Sequence, residues 1–113
     1  MFENSSEETA YHKLLILYIL YKIKMDLTNS QITQVVLETE MMNYFSLQQL
    51  LSQLMESKFL KIYKDSDKEY YCLTQRGLET LESLMLKIPM DSANKVDHYI
   101  KLNKESLLAE TQV

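Results

Sequence analysis

The stretch FLKIYKDSDKEYYCLTQRGLETL, residues 59–81, contains the change of hydrophobic period that decides the fold. Apolar and polar residues alternate in FLKIYK, the polar run DSDK follows, and the alternation resumes in EYYCLT. Two period-2 segments around a short polar turn predict a β-hairpin. Thr74 then precedes leucines at helical spacing, so we expect a helix capped by Thr74 to begin where the second strand ends.

The only glycine of the chain, Gly77, falls in the first turn of this helix. Glycine inside a helix costs roughly 0.5–1 kcal/mol relative to alanine. We therefore expect another backbone segment to pack so close to Gly77 that a Cβ would not fit.

Two helices are predicted well before the hairpin. The first spans about residues 9–25 and is apolar nearly all round, which is typical of a central helix covered on several sides. The second begins after Thr28, because Thr28 followed by Gln31 three residues later is a capping-box pattern.

A third predicted helix lies in NYFSLQQLLSQLMESKFL. Ser46 and Gln49 repeat the capping-box pattern, and Phe45 and Leu50 are spaced for a hydrophobic staple across that cap. The helix is therefore expected to begin at Ser46. Its predicted buried stripe is Leu47, Leu50, Leu51, Leu54 and Met55, and its predicted outward face is Gln48, Gln49, Ser52, Gln53 and Glu56.

The chain after the hairpin predicts two more helical segments. The helix after Thr74 is expected to continue to Pro89, and Asp91 or Ser92 to cap a last helix. We predict a mainly α fold with a small β-hairpin, divided into a flexible N-terminus (1–8), a winged helix-turn-helix domain (9–89) and a C-terminal helix (90–113). The apolar positions of the last helix are Val96, Tyr99, Ile100, Leu107 and Leu108.

Composition is consistent with one globular domain. The 113 residues are 46% hydrophobic and 25% charged, with one glycine, one proline and one cysteine, which disfavours an all-β fold and excludes an intramolecular disulfide. MFENSSEETA lacks the basic and apolar regions of a secretory signal, and Lys22 interrupts the longest apolar stretch, LLILYILYKI, well short of the ~20 residues of a membrane span. A cytoplasmic location is expected.

The net charge of −4 is unevenly distributed along the chain. Residues 1–42 carry three Lys and six acids, residues 43–76 carry five basic residues and four acids, and residues 77–113 carry four Lys and six acids, giving −3, +1 and −2. An anion-binding surface is therefore expected in the middle third.

The segment YYCLTQRGLETL resembles the Tyr-x-Leu-Thr-x-x-Gly-x-x-x-Leu signature that closes the wing of bacterial MarR-like and PadR-like transcriptional regulators. More broadly, LLILYIL, NYFSLQQLLSQLMESKFL and that signature, in this order, resemble a bacterial winged-helix family known only as a domain of unknown function. The resemblance covers about residues 10–90 and implies a DNA-binding transcriptional regulator.

The resemblance makes the third helix the recognition helix and residues 65–68 the tip of the wing. It implies base-edge contacts by Asn43, Tyr44, Gln48, Gln49, Ser52 and Gln53. It implies phosphate contacts by Lys58, Lys61, Lys64, Lys68 and Arg76. Two features depart from the pattern: the helix has no Arg or Lys before Lys58, and the turn contains Asp65 and Asp67.

The resemblance also implies a homodimer formed through the terminal helices. Val96, Tyr99, Ile100, Leu107 and Leu108 would then form the dimer contact, and the alternative is that this helix folds back on its own domain. Arg76 is as well suited to an ion pair with Glu69, Glu79 or another acid as to a phosphate.

No catalytic motif stands out, so an enzyme is not predicted, and no cofactor is assigned. His12 and His98 lack the spacing of a metal site, and Cys72 is expected to be inert packing. The tyrosine-rich first helix is interpreted as core, and any effector is unknown. The alternative function is a winged-helix module that binds another protein without touching DNA.

Overall fold

The computed structural model describes the backbone of residues 6–111 and the side chains of residues 8–107. Five helices and one hairpin follow in chain order, as the sequence predicts: α1 (Ser6–Ile23), α2 (Asn29–Glu38), α3 (Tyr44–Glu56), β1 (Leu60–Asp65), β2 (Lys68–Leu73), α4 (Gln75–Leu84) with a 3₁₀ turn (Met85–Lys87), and α5 (Met90–Thr111). The prediction of a mainly α fold with a small hairpin and a C-terminal helix is confirmed, and the layout is compatible with a winged helix-turn-helix.

Helix α1 is the centre of the core. Every residue from Leu14 to Leu20 is buried, because α3, α4, α5 and β2 all pack around this helix. The interpretation of LLILYIL as a core helix is confirmed. The helix begins at Ser6, three residues before the predicted Thr9, and residues 1–5 of the predicted flexible N-terminus lie outside the described residues.

The predicted capping box of α2 is present. The Thr28 hydroxyl accepts a hydrogen bond from the Gln31 backbone N–H (3.2 Å), and the Gln31 side chain accepts one from the Thr28 N–H (2.9 Å). The side chain of Gln31 is itself buried, and its amide donates to the Leu107 carbonyl oxygen (3.1 Å). Gln31 thus takes part in the capping box and also attaches α2 to α5 at Leu107.

The predicted N-cap of α3 is wrong by three residues, and the helix begins at Tyr44, two residues before the predicted Ser46. Asn43 is the N-cap, and its side-chain oxygen accepts a hydrogen bond from the Ser46 backbone N–H (2.8 Å). Because Asn43 satisfies that donor, Ser46 lies inside the first turn and no staple forms: Phe45 is 86% exposed while Leu50 is buried. The predicted stripe is otherwise found, with Leu47, Leu50, Leu51 and Leu54 buried and Met55 partly buried.

The hairpin pairs β1 with β2 in antiparallel register from Leu60 opposite Leu73 to Asp65 opposite Lys68. Its turn consists of Ser66 and Asp67, both with positive φ. The turn was predicted to span residues 65–68, but Asp65 and Lys68 belong to the strands and pair with each other. Two consecutive residues with positive φ suit the right-handed twist of a two-residue hairpin. Leu27, between α1 and α2, forms an isolated bridge with Tyr71 and extends the sheet by one residue.

The expectation for Gly77 is confirmed. Thr74 caps α4 by accepting a hydrogen bond from the Gly77 N–H (3.0 Å), as predicted. A Cβ on Gly77 would overlap the carbonyl oxygen of Phe59 and lie 2.9 Å from Cδ1 of Leu73. Phe59 begins the chain segment that leads into β1, so the glycine allows α4 to pack directly on that backbone.

Helix α5 begins at Met90, before the caps predicted at Asp91 and Ser92, because the Pro89 carbonyl oxygen accepts the first helical hydrogen bond from the Ala93 N–H (3.0 Å). The helix packs along α1 and α2. Within the described part of the chain, no helix is long and apolar enough to cross a membrane.

Candidate nucleic-acid interface

The outward face of α3 differs from the predicted one at its middle. The Gln48 amide forms a reciprocal pair with Asn29 of α2: Asn29 Nδ2 donates to Gln48 Oε1 (2.7 Å), and Gln48 Nε2 donates to Asn29 Oδ1 (3.0 Å). Thr33 Oγ1 also donates to Asn29 Oδ1 (3.1 Å), and Asn29 Nδ2 lies 3.3 Å from the Tyr71 hydroxyl. Both hydrogen-bonding ends of Gln48 are therefore engaged inside the protein.

The sequence reasoning missed this polar network of Asn29, Thr33, Gln48 and Tyr71. Asn29 and Thr33 are four residues apart in α2, so they share a helix face, and that spacing was the available signal. What the sequence alone does not contain is the crossing of α2 and α3, which brings that face to Gln48.

The two glutamines on the α1 side of the helix have a different neighbour. Gln49 is exposed and Gln53 half-buried, and both line a polar cleft of about 190 Å³ together with Thr9 and His12 of α1. Gln49 therefore lies at the edge of the exposed face, whereas Gln53 points toward α1.

The exposed face of α3 is formed by Phe45, Gln49, Ser52 and Glu56. Tyr44, which is 52% exposed, flanks it at the start of the helix, and Asn43 is exposed but uses its side-chain oxygen as the cap. Phe45 is the residue that the sequence reasoning missed as a surface group, since the staple pattern had assigned it to the interior. The face carries one carboxylate and no cation.

The predicted phosphate ligands are all exposed but do not form one cluster. On the hairpin, Lys61 pairs with Cys72 and Lys68 with Asp65 on one face, whereas Lys64 lies on the other face, directly opposite Glu69. Lys58 precedes the hairpin with positive φ. The hairpin thus alternates its charges rather than presenting one basic strip.

Arg76 has a partner of a different kind from those predicted. The carbon of its guanidinium group lies 5.6 Å from the centroid of the Phe59 ring, within the range of a cation–π contact. The described residues show no ion pair between Arg76 and Glu69 or Glu79. Arg76 is exposed near the start of α4, just after the hairpin.

The hairpin is fixed to the loop between α1 and α2 by a tyrosine. The Tyr63 hydroxyl donates to Asp26 Oδ2 (2.6 Å), and the Tyr63 ring stacks on Tyr70 with centroids 5.6 Å apart. The hydrogen bond to Asp26, with a smaller contribution from burial, raises the pKa of Tyr63 to about 12. Burial, followed by the negative charge of Asp26, raises the pKa of the neighbouring Cys72 thiol, which disfavours a reactive thiolate.

A groove of about 440 Å³ separates this hairpin from the start of α2. It is lined by Thr28, Asn29 and Ser30 on one side and by Lys68 and Glu69 on the other. Asn29, one of the lining residues, is also the hydrogen-bond partner of Gln48, so the groove lies next to the contact between α2 and α3.

The predicted dimer contacts on α5 are covered by the chain itself. Val96, Tyr99, Ile100 and Leu107 are buried against the core, and the side chain of Leu108 lies outside the described residues. Polar contacts hold the helix in place: the Tyr18 hydroxyl donates to Asp97 Oδ1 (2.8 Å), and Gln34 Nε2 donates to the Tyr99 hydroxyl (3.2 Å). The four described side chains are therefore not an exposed dimer surface. The helix folds back on its own domain, which was the alternative to a dimer contact.

The described residues contain no group of three or more His, Cys, Asp or Glu side chains that could hold a metal ion. His12 and His98 line separate clefts, of about 190 Å³ and 310 Å³ respectively. Glu38, Glu40 and Lys95 line the cleft of His98, whereas Gln49 and Gln53 line that of His12.

The chain was compared with protein-family models, curated proteins and solved structures. No curated protein and no solved structure matches the chain. The model of the family described as "Domain of unknown function (DUF4364)" matches residues 12–113, which cover most of α1 and every later element through α5. The chain therefore belongs to the DUF4364 family.

Proposed function

We propose that this chain binds double-stranded DNA as a bacterial, cytoplasmic transcriptional regulator of the MarR-like or PadR-like kind. In this proposal α3 enters the major groove and the β1–β2 hairpin lies beside the phosphate backbone. The observation that carries the proposal is the exposed outer face of α3, whose opposite face is fixed by four buried leucines.

The side chains on this face can read base edges. The Gln49 amide is exposed and makes no hydrogen bond to another described side chain, so both its donor and its acceptor are available to an adenine. Ser52 is permissive as donor or acceptor, and Phe45 is suited to contact with a thymine methyl group. Gln48 is assigned a supporting role, because its pairing with Asn29 fixes the crossing of α2 and α3.

Phosphate contacts are assigned to Lys58, Lys61, Lys68 and Arg76, which are exposed around α3 and the hairpin. Lys64 is a weaker candidate because Glu69 lies directly opposite. With so few cations, and with Glu56, Asp65 and Asp67 nearby, we expect weak nonspecific affinity and a specificity that depends on base contacts.

Salt dependence tests the electrostatic part of the proposal. Binding of a labelled duplex is measured by fluorescence anisotropy from low to moderate salt for wild type, Lys61→Gln and the control Lys95→Gln, an exposed lysine on α5. Wild type should show a negative log–log slope, and Lys61→Gln should reduce its magnitude by about 0.9, the value for one lost phosphate contact. Equal slopes for Lys61→Gln and wild type would remove Lys61 from the interface.

A second function, docking to another protein, is favoured by one specific observation. Phe45 is 86% exposed and Tyr44 52% exposed at the start of a helix that carries no Lys or Arg. Exposed aromatic residues without neighbouring cations are typical of protein contacts. If Phe45→Ala left DNA binding unchanged, while the protein bound no duplex better than competitor DNA, this second function would replace the first.

A further inference from the structure

A polar cleft of about 190 Å³ lies between α1 and α3, beside the exposed face of α3. Apart from the buried Leu50, every residue that lines it can donate a hydrogen bond from its side chain: Thr9, His12, Ser46, Gln49 and Gln53. Within the part of the chain that the structure describes, none of these five side chains hydrogen-bonds to another protein group. The cleft therefore brings together several donors that the fold itself does not use.

The chemistry of the lining favours an anionic oxygen group. Among the described residues that line the cleft, none is acidic. A phosphate group is compact and carries several acceptor oxygens, so it can accept hydrogen bonds from several of these donors at once. The volume of about 190 Å³ is below the ~300–1,000 Å³ of pockets that enclose a whole small ligand. The cleft is thus suited to one phosphate group of a larger molecule.

We propose that this cleft binds a backbone phosphate of the DNA whose bases α3 reads, an inference that rests on the proposed function. Ser46 and Gln53 of α3 and His12 of α1 donate to the phosphate oxygens. Gln49, which is exposed at the edge of the cleft, keeps its role at the base edge. Helix α1 thereby becomes part of the interface, and its contact helps to position a recognition helix that carries no Lys or Arg of its own.

His12 is the lining residue of this cleft that can also bring a positive charge. An imidazole side chain changes its charge between about pH 5 and 8. From α3, the cleft brings Gln49 and Gln53 to His12, and neither of them titrates. His12 also lines a second cleft, of about 240 Å³, whose titratable residues are Glu8, Tyr11, Glu40 and Lys95. Protonation of His12 places a cation next to the bound phosphate, so the contact becomes stronger as the pH falls.

A loss of affinity that is independent of sequence is the first test. Fluorescence anisotropy measures binding to a duplex selected for tight binding and to a random duplex. Gln53→Ala should weaken binding to both duplexes roughly tenfold, because a hydrogen bond to a phosphate carries no sequence information. The matched control Gln75→Ala, at an exposed position of α4, should bind both as wild type does. Circular dichroism checks that both variants are folded.

The outcomes of this test separate the inference from the proposed function. If wild type binds the duplexes and Gln53→Ala binds both as tightly, the phosphate site is overturned while DNA binding stands. If Gln53→Ala weakens binding to the selected duplex alone, Gln53 reads a base and the phosphate site is overturned as well. If wild type binds no duplex, the proposed function fails and this inference fails with it.

The salt dependence of binding at pH 6 and pH 8 tests the role of His12. The log–log slope of wild type should be more negative at pH 6, by up to about 0.9, the value for one further phosphate contact. His12→Gln keeps a neutral donor and should give the same slope at both pH values. The control His98→Gln should keep the wild-type difference, since no residue of α3 lines the cleft of His98. A wild-type slope that does not change with pH, or a change that His12→Gln retains, overturns the contact with His12.

Inorganic phosphate distinguishes a DNA phosphate from a free one. The amide NMR signals of Ser46 and Gln53 are followed during titration of the whole chain with inorganic phosphate at constant ionic strength, and separately with the selected duplex. The duplex should shift these signals, whereas inorganic phosphate should not saturate them at millimolar concentration, because it lacks the other contacts of the duplex. Saturation by inorganic phosphate at micromolar concentration, together with no shift by the duplex, would assign the cleft to a free phosphorylated compound and overturn the proposal.

Discussion

Gly77 is the residue at which the packing of α4 is most tightly constrained. A Cβ at this position overlaps the Phe59 carbonyl oxygen, which is backbone and cannot rotate away as a side chain would. Gly77 also donates its N–H to Thr74, so the cap and the close approach depend on the same turn. Thus the chain's single glycine stands where the β1 entry, the end of β2 and α4 meet.

We predict that Gly77→Ala destabilises the protein by about 1–3 kcal/mol, because the added methyl group forces α4 away from Phe59. Without that contact, alanine inside a helix would gain roughly 0.5–1 kcal/mol. Urea unfolding measures the difference. Ser83→Ala, at an exposed position of the same helix, is the control and should stay within about 0.5 kcal/mol of wild type. A Gly77→Ala variant as stable as wild type would contradict the close packing.

Gln48 and Gln49 are neighbours in the sequence with different environments. Gln48 is paired with Asn29, whereas Gln49 makes no hydrogen bond to another described side chain. We predict that Gln48→Ala lowers the free energy of unfolding by about 1 kcal/mol, the typical net value of a partly buried hydrogen bond whose partner is left alone. Gln49→Ala should change it little. Equal effects of the two substitutions on the urea midpoint would show that the Asn29–Gln48 pair contributes no stability.

At the level of elements, two tyrosine hydroxyls join segments that are distant in sequence. Tyr63 attaches the hairpin to Asp26, and Tyr18 attaches α1 to Asp97 on α5. Burial, followed by the hydrogen bond to Asp97, raises the pKa of Tyr18 to about 12, and the pKa of Tyr63 is also about 12. In both cases the neutral hydroxyl is the donor, so the bond is lost when the proton is lost.

The sign of the pH effect follows from these raised values. A tyrosine whose pKa is about 10 in the unfolded chain and about 12 in the folded protein contributes stability that is fully present below pH 10. That contribution is lost as the pH rises from about 10 through 12. We predict that the Tyr18→Phe/Tyr63→Phe double variant loses less stability than wild type between pH 9 and about 11.5.

Urea unfolding across this range measures that difference. Tyr44→Phe is the control, since the Tyr44 hydroxyl has no hydrogen-bond partner within the described residues, and it should follow the wild-type curve. If the double variant and wild type lost stability in parallel, the loss of stability at high pH would not come from the Tyr18 and Tyr63 hydroxyls.

The sequence predicts the local features of these elements well. The capping box at Thr28, the cap at Thr74 and the hairpin are patterns within a few residues, and each is present. The predicted start of α3 was wrong because Asn43 and Ser46 are both suitable caps. The structure uses Asn43, which gives the longer helix. A cap pattern alone does not rank two candidates three residues apart.

The interface was harder to predict, because it depends on how elements cross. Asn29 of α2 engages Gln48, and His12 of α1 lines a cleft with Gln49 and Gln53. Neither Asn29 nor His12 is close to α3 in sequence, so the sequence alone does not show which glutamine of α3 is exposed. The burial of Val96, Tyr99 and Ile100 likewise depends on α1 and α2. An apolar face can be read from a sequence, but the surface that covers it cannot.

At the level of the whole molecule, specific and nonspecific DNA binding should separate. We predict that Gln49→Ala weakens binding to a selected duplex by about 1–3 kcal/mol and leaves binding to a random duplex nearly unchanged, because a neutral side chain adds little to the charge term. Gln75→Ala, an exposed glutamine on α4, is the matched control. If Gln49→Ala weakened binding to both duplexes equally, or to neither, Gln49 would not be a base-reading residue.

The most direct test of DNA binding is a selection of genomic DNA fragments by the whole chain at low salt. The account predicts that repeated rounds enrich a limited set of duplexes and that the enriched sequences share a common motif. They should be lost when Ser52 and Gln49 are replaced together by alanine, a change on the exposed face of α3 that spares its buried stripe. Recovery of no duplex above background would contradict DNA binding and leave protein docking through Tyr44 and Phe45 as the function of this face.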